Sequence, residues 1–153
     1  MHIRQATLGD IEEIAALYKD TITTVNSKDY TKEQIDAWSS TYNNEHGWIR
    51  RIEEQHFYIA TIEDKIVGFA SIDNNGYLDL LYVHKDFQKQ GIATKLLKTA
   101  EKTAKEMGFN EITVQSSVTA KPFFTEQNFI QTGEKRKLIN GIPFSNAIMN
   151  KKI

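Results

Sequence analysis

The 153-residue sequence contains no cysteine. That absence excludes disulfides, thiolate metal sites and a cysteine nucleophile together, and suits an intracellular chain held by packing alone. Proline occurs only twice and glycine eight times, both scattered, so no linker divides the chain and residues 1–153 read as one domain. Neither sign of charge dominates: 19 lysines and arginines against 20 aspartates and glutamates leave a formal net charge of -1. Duplex nucleic-acid binders normally carry a clear basic excess, so that class is disfavoured, although Lys85, Lys89 and Lys95 form a local basic patch. No apolar run reaches the length of a signal peptide or a membrane span, which points to a cytoplasmic protein without membrane attachment. His2, His46, His56 and His84 lack metal-ligand spacing, so no metal is expected.

What is present is hydrophobic periodicity that changes from element to element. Ile3–Ala6 suits a short strand. Asp10, with Glu13 three residues on, reads as an N-cap, and Ile11, Ile14, Ala15, Leu17 and Tyr18 keep helical spacing. Thr31-Lys32-Glu33-Gln34 is a capping box opening a helix through Ile35 and Trp38; a further short helix runs through Trp48–Glu54. Strands Phe57–Ile62 and Ile66–Ile72 flank a tight turn, and Asn74-Asn75-Gly76 is a hairpin signal leading into Tyr77–Val83. From Gln90 to Met107, Ile92, Leu96, Leu97, Ala100, Ala104 and Met107 share one helical face, with Gly108 as the stop. Glu111–Gln115 is a strand and Thr119–Gln127 a short helix whose Pro122 fits only its first turn. Strands Phe129–Leu138 and Ile142–Asn150 close the chain around Asn140-Gly141. This order predicts an α+β (mixed α/β) fold with antiparallel hairpins at the edges and one parallel crossover at strand–long helix–strand.

The crossover carries the most chemistry. Strand Tyr77–Val83 leads through a polar loop into a helix that begins at Gly91. Free N–H groups and the positive end of the helix dipole make such a start an anion site. Gly91 lets an anion approach the backbone, Ala93 keeps the next turn small, and Lys89 and the Thr94 hydroxyl add donors. A helix start that merely needs a flexible residue would look the same by itself. The segment is neither a P-loop nor a dinucleotide fingerprint, having no Gly-Lys-Ser/Thr and no G-x-G-x-x-G.

Gln88-x-x-Gly91-x-Ala93 does match the spacing Gln/Arg-x-x-Gly-x-Gly/Ala, and Leu78–Leu97 resembles the acyl-CoA-binding motif of the GNAT superfamily of N-acetyltransferases. Ala120-x-x-Phe123-Phe124 with Asn128-Phe129 is similar to the family's Ala-x-x-Phe-Tyr-x-x-x-Gly-Phe. Tyr30–Gln34 with Trp38, and Asn146 with Met149, resemble a little-characterised bacterial branch. The resemblance covers nearly the whole chain. It implies a GNAT-type fold: a central, mostly antiparallel sheet of six to seven strands, with a splayed parallel pair Tyr77–Val83 and Glu111–Gln115, flanked by helices.

The resemblance also implies roles. Acetyl-CoA would be the co-substrate and the acceptor a small-molecule or peptide amine attacking the thioester directly. Backbone groups of Leu81, Tyr82 and Val83 would pair with pantetheine, and amides of Gln88, Lys89, Gln90, Gly91, Ile92, Ala93 and Thr94 would hold the pyrophosphate. Ser117 replaces the family's asparagine as a hydrogen-bonding group. Phe123 and Phe124 would line the sulfur end, and Tyr30 and Trp38, with Tyr42 and Trp48, the acceptor pocket. Asp79 is the candidate base, since strand alternation puts it on the face of Leu81 and Val83 unless a bulge intervenes. The family's tyrosine acid is Phe124 here, which has no proton to give; Ser116, Ser117, water or a nearby tyrosine are the substitutes. A non-catalytic acyl-CoA sensor on the same fold, and a nucleotide binder, are the competing readings. Acceptor identity, acyl length and a homodimer through Ile142–Asn150 stay open.

Overall fold

A computed structural model describes all 153 residues. The order is β1 (His2–Gln5), α1 (Ile11–Thr24), α2 (Lys32–Ser39), α3 (Glu45–Glu54), β2 (His56–Ile62), β3 (Lys65–Ile72), β4 (Tyr77–Val83), α4 (Ile92–Glu106), β5 (Glu111–Ser116), α5 (Lys121–Glu126), β6 (Ile130–Ile139) and β7 (Ile142–Lys152). The strands form one seven-stranded sheet ordered β1-β2-β3-β4-β5-β7-β6, antiparallel throughout except at β4–β5. No helix is long and apolar enough to cross a membrane.

Local chemistry sets the boundaries. Thr31 and Gln34 make the reciprocal capping box, Gln34 N donating to Thr31 Oγ1 at 3.1 Å and Thr31 N to Gln34 Oε1 at 3.0 Å. Asp10 stands at the N-cap position of α1, but its side chain makes no capping bond to that helix. Its carboxylate reaches back to accept from Thr7 N at 2.8 Å and pairs with Arg4, so the cap belongs to the 3-10 turn before the helix. In the β3–β4 hairpin, Asp73 Oδ1 accepts from Asn75 N at 2.8 Å and Tyr77 N at 3.0 Å while Gly76 takes a φ of 78°.

Two apolar layers sandwich the sheet. On one face α4 presents Ile92, Leu96, Leu97, Ala100 and Ala104 to Val67, Ala70, Leu78 and Ile112. The approach is close: a Cβ on Gly68 of β3 would lie 2.9 Å from Ile92 Cγ2 and 3.1 Å from Tyr82 O, so only glycine fits under α4. On the other face Ile14, Leu17, Tyr18 and Ile22 of α1, with Ile35 and Trp48, cover Phe57, Ile59, Phe69 and Leu80. Burial of this apolar area supplies most of the driving force, and it fixes where α3 and α4 stand relative to β4.

Candidate active site

The β4–β5 pair is the only parallel one, and its ladder is short: Tyr77 partners Thr113 and Leu78 partners Val114, after which the register ends. β5 continues along β7 to Ser116 while β4 continues along β3 to Val83, so the two strands part and leave a wedge. A cleft of about 850 Å³ runs from this wedge to the start of α4 on one side and to α2, α3 and the β6–β7 hairpin on the other.

At the α4 end the backbone itself is the functional group. Phe87 N donates to His84 O, and Lys95 N begins the helical ladder at Gly91 O; between them no main-chain N–H finds an acceptor within the protein. Gly91 takes a φ of 80° and Lys89 one of 59°, which turns the loop so that these amides face the cleft. A Cβ at Gly91 would meet nothing within 4 Å, so glycine is required there by the left-handed backbone and not by a protein neighbour. Buried or cleft-facing donors without partners are costly unless an anion or water takes them. The Gln88 side chain has a structural task, donating from Nε2 to Val83 O at 2.8 Å and tying the loop to β4. Gln88, Lys89, Gly91, Ile92, Ala93 and Thr94 all line the cleft; Gln90 is exposed and does not.

Along β4 the ladder sorts the main chain. His84 N donates to Val67 O, and Gly68 partners Val83, so alternation sends the main-chain groups of Tyr82 and His84 to β3 and those of Leu81 and Val83 to the wedge. Tyr82 therefore departs from the expected trio: its backbone is engaged with β3, although the residue still lines the cleft. The Val83 carbonyl already accepts from Thr21 Oγ1 at 2.9 Å as well as from Gln88. Leu81 keeps both of its main-chain groups toward the wedge.

Asp79 also departs from the expected alternation. Ser71 partners Leu80 and Ile72 partners Leu78, leaving Asp79 as the extra residue of a β-bulge. The bulge resets the alternation, so Asp79 faces α3 and not the side of Leu81 and Val83. There Arg51 Nε donates to Asp79 Oδ2 at 2.8 Å and Gln55 Nε2 to the same oxygen at 3.0 Å. Asp79 Oδ1 has no protein partner, and both side chains stay partly accessible, at 29% for Arg51 and 21% for Asp79. Tyr77 is no rival as a base, because burial first and then the charges of Asp79 and Asp73 push its phenol up to about 12.

At the sulfur end expected for the cofactor, Phe124 is buried among Phe123 and Phe129, in edge-to-face contacts. The Ser117 hydroxyl accepts from Ala120 N at 3.1 Å and so shapes the turn before α5. Tyr30 reaches the same turn from the loop ahead of α2: its hydroxyl oxygen accepts from Val118 N at 2.8 Å. Burial raises the Tyr30 pKa. Asp29 Oδ2 accepts from Thr119 Oγ1 at 2.8 Å and pins this loop down.

The aromatic stretch divides. Tyr30, Trp38 and Phe144 pack ring to ring along the cleft at centroid distances of 5.2, 6.0 and 6.1 Å. Trp48 is almost wholly buried against Tyr18 and Phe69, and Tyr42 does not line the cleft. Arg51, Gln55, Phe144 and Lys137 are not among the residues that the sequence patterns single out. Arg51 and Gln55 sit three and seven residues after Trp48, one helical face, which was the available signal. Lys137 partners Phe144 across β6–β7, a pairing that no local pattern announces.

A mixed sheet with one parted parallel pair and a helix start of free amides beside it defines the GNAT-type fold. Residues 26–151 match the family model described as an acetyltransferase (GNAT) domain, and the chain belongs to that family. It is similar to the uncharacterized N-acetyltransferase YafP of Escherichia coli (strain K12), 31% identical over 152 residues that cover 99% of this chain and 96% of that protein. A crystal structure of a GCN5-related N-acetyltransferase from Rhodopseudomonas palustris, described as a class-II aminotransferase, superposes with a TM-score of 0.96 at 31% identity, covering 99% of this chain and 95% of that one. The PaiA N-acetyltransferase of Thermoplasma acidophilum, crystallised in complex with coenzyme A, shares the fold at a TM-score of 0.77 and 24% identity, with 99% and 98% covered.

Proposed function

We propose that this protein transfers an acetyl group from acetyl-CoA to a primary amine. The observation that carries the reading is the run of unpartnered main-chain amides from Gln88 to Thr94, opening onto the wedge between β4 and β5. A diphosphate matches such a run, because several N–H donors and a helix dipole converge on one anion. The thioester arm of acetyl-CoA then lies along β4, and the two free main-chain groups of Leu81 and the N–H of Val83 pair with its amides, the Val83 carbonyl being taken by Thr21 and Gln88. The Thermoplasma relative binds coenzyme A, which supports the same donor here.

The residues divide the reaction between them. Asp79, through Oδ1 or one water, takes the proton that an alkyl ammonium of pKa about 10.4 must lose before it attacks. The Leu81 N–H stabilises the negative charge that develops on the thioester carbonyl oxygen. Tyr30 supplies what Phe124 lacks. Its oxygen accepts from Val118 N, so its own proton is free to pass to the departing thiolate, and burial keeps that proton in place near neutral pH. Ser117 orders the turn on which Tyr30 rests and offers a second hydroxyl. Tyr30, Trp38 and Phe144 form the acceptor wall. The protein acts in the cytoplasm on a small-molecule or peptide amine.

The test is acetyl-CoA titration by calorimetry, followed by thiol release across a panel of amines. Binding with amine-dependent thiol release is expected. Binding without turnover would make the chain an acyl-CoA sensor, and no binding would end the proposal.

A further inference from the structure

Resting on the acyl-transfer reading, we infer that the amine acceptor carries an oxyanion beside its amine, in the manner of an amino acid, held by Arg51 and Lys137 at the α3–β6 end of the cleft. A cationic acceptor such as a polyamine is the wrong charge for this site.

Charges converge at this end of the cleft. Arg51 is held by one nitrogen only, Nε on Asp79 Oδ2, and its two terminal nitrogens donate to nothing in the protein. A guanidinium anchored in this way presents a planar two-donor fork, the geometry that binds carboxylates and phosphates in bidentate fashion. Its carbon lies 5.8 Å from the Trp48 ring centre, so the buried tryptophan backs the guanidinium and limits its swing.

Lys137 is the second cation. It stands directly across the β6–β7 ladder from Phe144 of the aromatic wall, on the face toward the cleft. It has no ion-pair partner: the pairs of the protein are Arg4–Asp10, Lys32–Asp36, Arg51–Asp79, His84–Asp86, Lys85–Asp86 and Lys151–Glu101. As a residue Lys137 is exposed, yet it lines the cleft, and desolvation there lowers its pKa, with Asp79 opposing and Arg51 reinforcing the shift. Arg51, Asp79 and Lys137 line the same cleft, Arg51 and Asp79 in direct contact, and the charges of those two are the ones that reach Lys137.

Counting them decides the sign. Two cations face a single carboxylate, one of whose oxygens is already engaged by Arg51 and Gln55. The surplus is positive, so an added anion is favoured and an added second cation is repelled. Asp79 Oδ1, the oxygen of this carboxylate left without a protein partner, is adjacent to the fork. An acceptor with amine and oxyanion on neighbouring atoms satisfies both, its amine at Asp79 Oδ1 and its oxyanion at Arg51 and Lys137. The aromatic rings of Tyr30, Trp38 and Phe144 beside them take the side chain of such a molecule.

The experiment measures thiol release from acetyl-CoA with matched pairs: α-amino acids, their carboxamides, the decarboxylated amines and the corresponding aminophosphonates. The amide's amine deprotonates more readily than the acid's, so any preference for the acid reads the oxyanion. Acids are expected to exceed their amides about tenfold or more in kcat/KM, the scale of a charge-assisted contact. Aminophosphonates outperforming carboxylates would name phosphate as the oxyanion and uphold the charge rule. Lys137→Gln should bring the acid-to-amide ratio toward one through KM, Lys137→Arg should restore it, and Lys137→Glu should turn the preference toward diamines. Amides or diamines serving wild type as well as acids do would overturn the inference while leaving acetyl transfer intact. Saturation-transfer NMR on the CoA-loaded protein reads the same preference without turnover. Acids bound above amides with no thiol released would uphold the oxyanion site and refute acetyl transfer; no difference in binding would overturn the site.

Discussion

The two ends of the cleft are built from different material. The α4 end is main chain: amides from Gln88 to Thr94, turned outward by positive φ at Lys89 and Gly91. The acceptor end is side chain, and its parts come from α2 and the loop before it, α3, β4, β6 and β7. A main-chain site tolerates almost any side chain but no change of backbone conformation. A side-chain site is the reverse, since each group can be exchanged while the strand or helix beneath it stays put. One cleft can thus keep a fixed donor while its acceptor varies.

The sharpest way to break this contrast is at Gly91. Valine is strained at a φ of 80°, so Gly91→Val should turn the amides away and weaken acetyl-CoA binding by on the order of 100-fold. Gly91→Asn should keep most of the affinity, because asparagine tolerates the left-handed region and a Cβ there meets no protein atom within 4 Å. Calorimetric titration with acetyl-CoA checks both. If asparagine fails as badly as valine, side-chain volume and not backbone geometry governs the cradle.

At the other end Asp79→Asn should do the opposite. Asparagine can still accept from Arg51 and Gln55, so the fold and acetyl-CoA affinity should hold while kcat falls about 100-fold, the usual weight of a general base. Stopped-flow thiol release beside a calorimetric Kd separates the two effects. Equal losses in both would move Asp79 from proton transfer to scaffolding.

Tyr30→Phe should cost about tenfold in kcat, since water can replace a proton donor to a thiol of pKa about 8.5. Burial raises the Tyr30 pKa, so its protonated form persists past the ordinary value of about 10 and its donor role should not fade below that pH. By the same sign, its contribution to stability is intact below about pH 10 and is lost as pH rises through the folded-state value. A pH–kcat profile of wild type and variant checks this: a donor role predicts a wild-type rate that does not decline between pH 8 and about 10 on account of this group.

The contrast also explains what could be read without coordinates. The cradle lies within one stretch of chain, so its strand, loop, glycine and amphipathic helix all leave local patterns. The capping box at Thr31 and the turn at Asn140-Gly141, with φ of 49° and 80°, are equally local. The bulge at Asp79 is not: alternation along Leu78–Val83 looks regular, and only the pairing with β3 decides which residue is extra. That one insertion moved Asp79 from the face of Leu81 to that of Arg51. The aromatic ring of Tyr30 points to the acceptor wall from sequence, but its hydroxyl meets Val118, 88 positions away, where no periodicity reaches. Asp10 shows the same failure on a smaller scale, since a 3-10 turn and Arg4 claimed a carboxylate that the helix pattern had assigned elsewhere.

The smallest expected effect tests whether the acceptor end depends on the arm that carries it. α2 is eight residues long, too short to hold itself, and it is anchored by its capping box and by Gln34 Nε2 donating to Pro143 O at 3.1 Å. Thr31→Ala removes the side-chain acceptor for Gln34 N and should cost about 1 kcal/mol of stability, typical of a lost N-cap. Because Tyr30 and Trp38 bracket that cap, the acceptor KM should rise a few-fold with it. Nothing links α2 to the amides of Gln88–Thr94, so acetyl-CoA affinity should stay where it was. Thermal unfolding, acceptor KM and acetyl-CoA Kd measured on one preparation decide the matter. A fall in acetyl-CoA affinity equal to the rise in acceptor KM would mean that the two ends share one mechanical unit, and that the division between a main-chain donor site and a side-chain acceptor site is only a division of atoms.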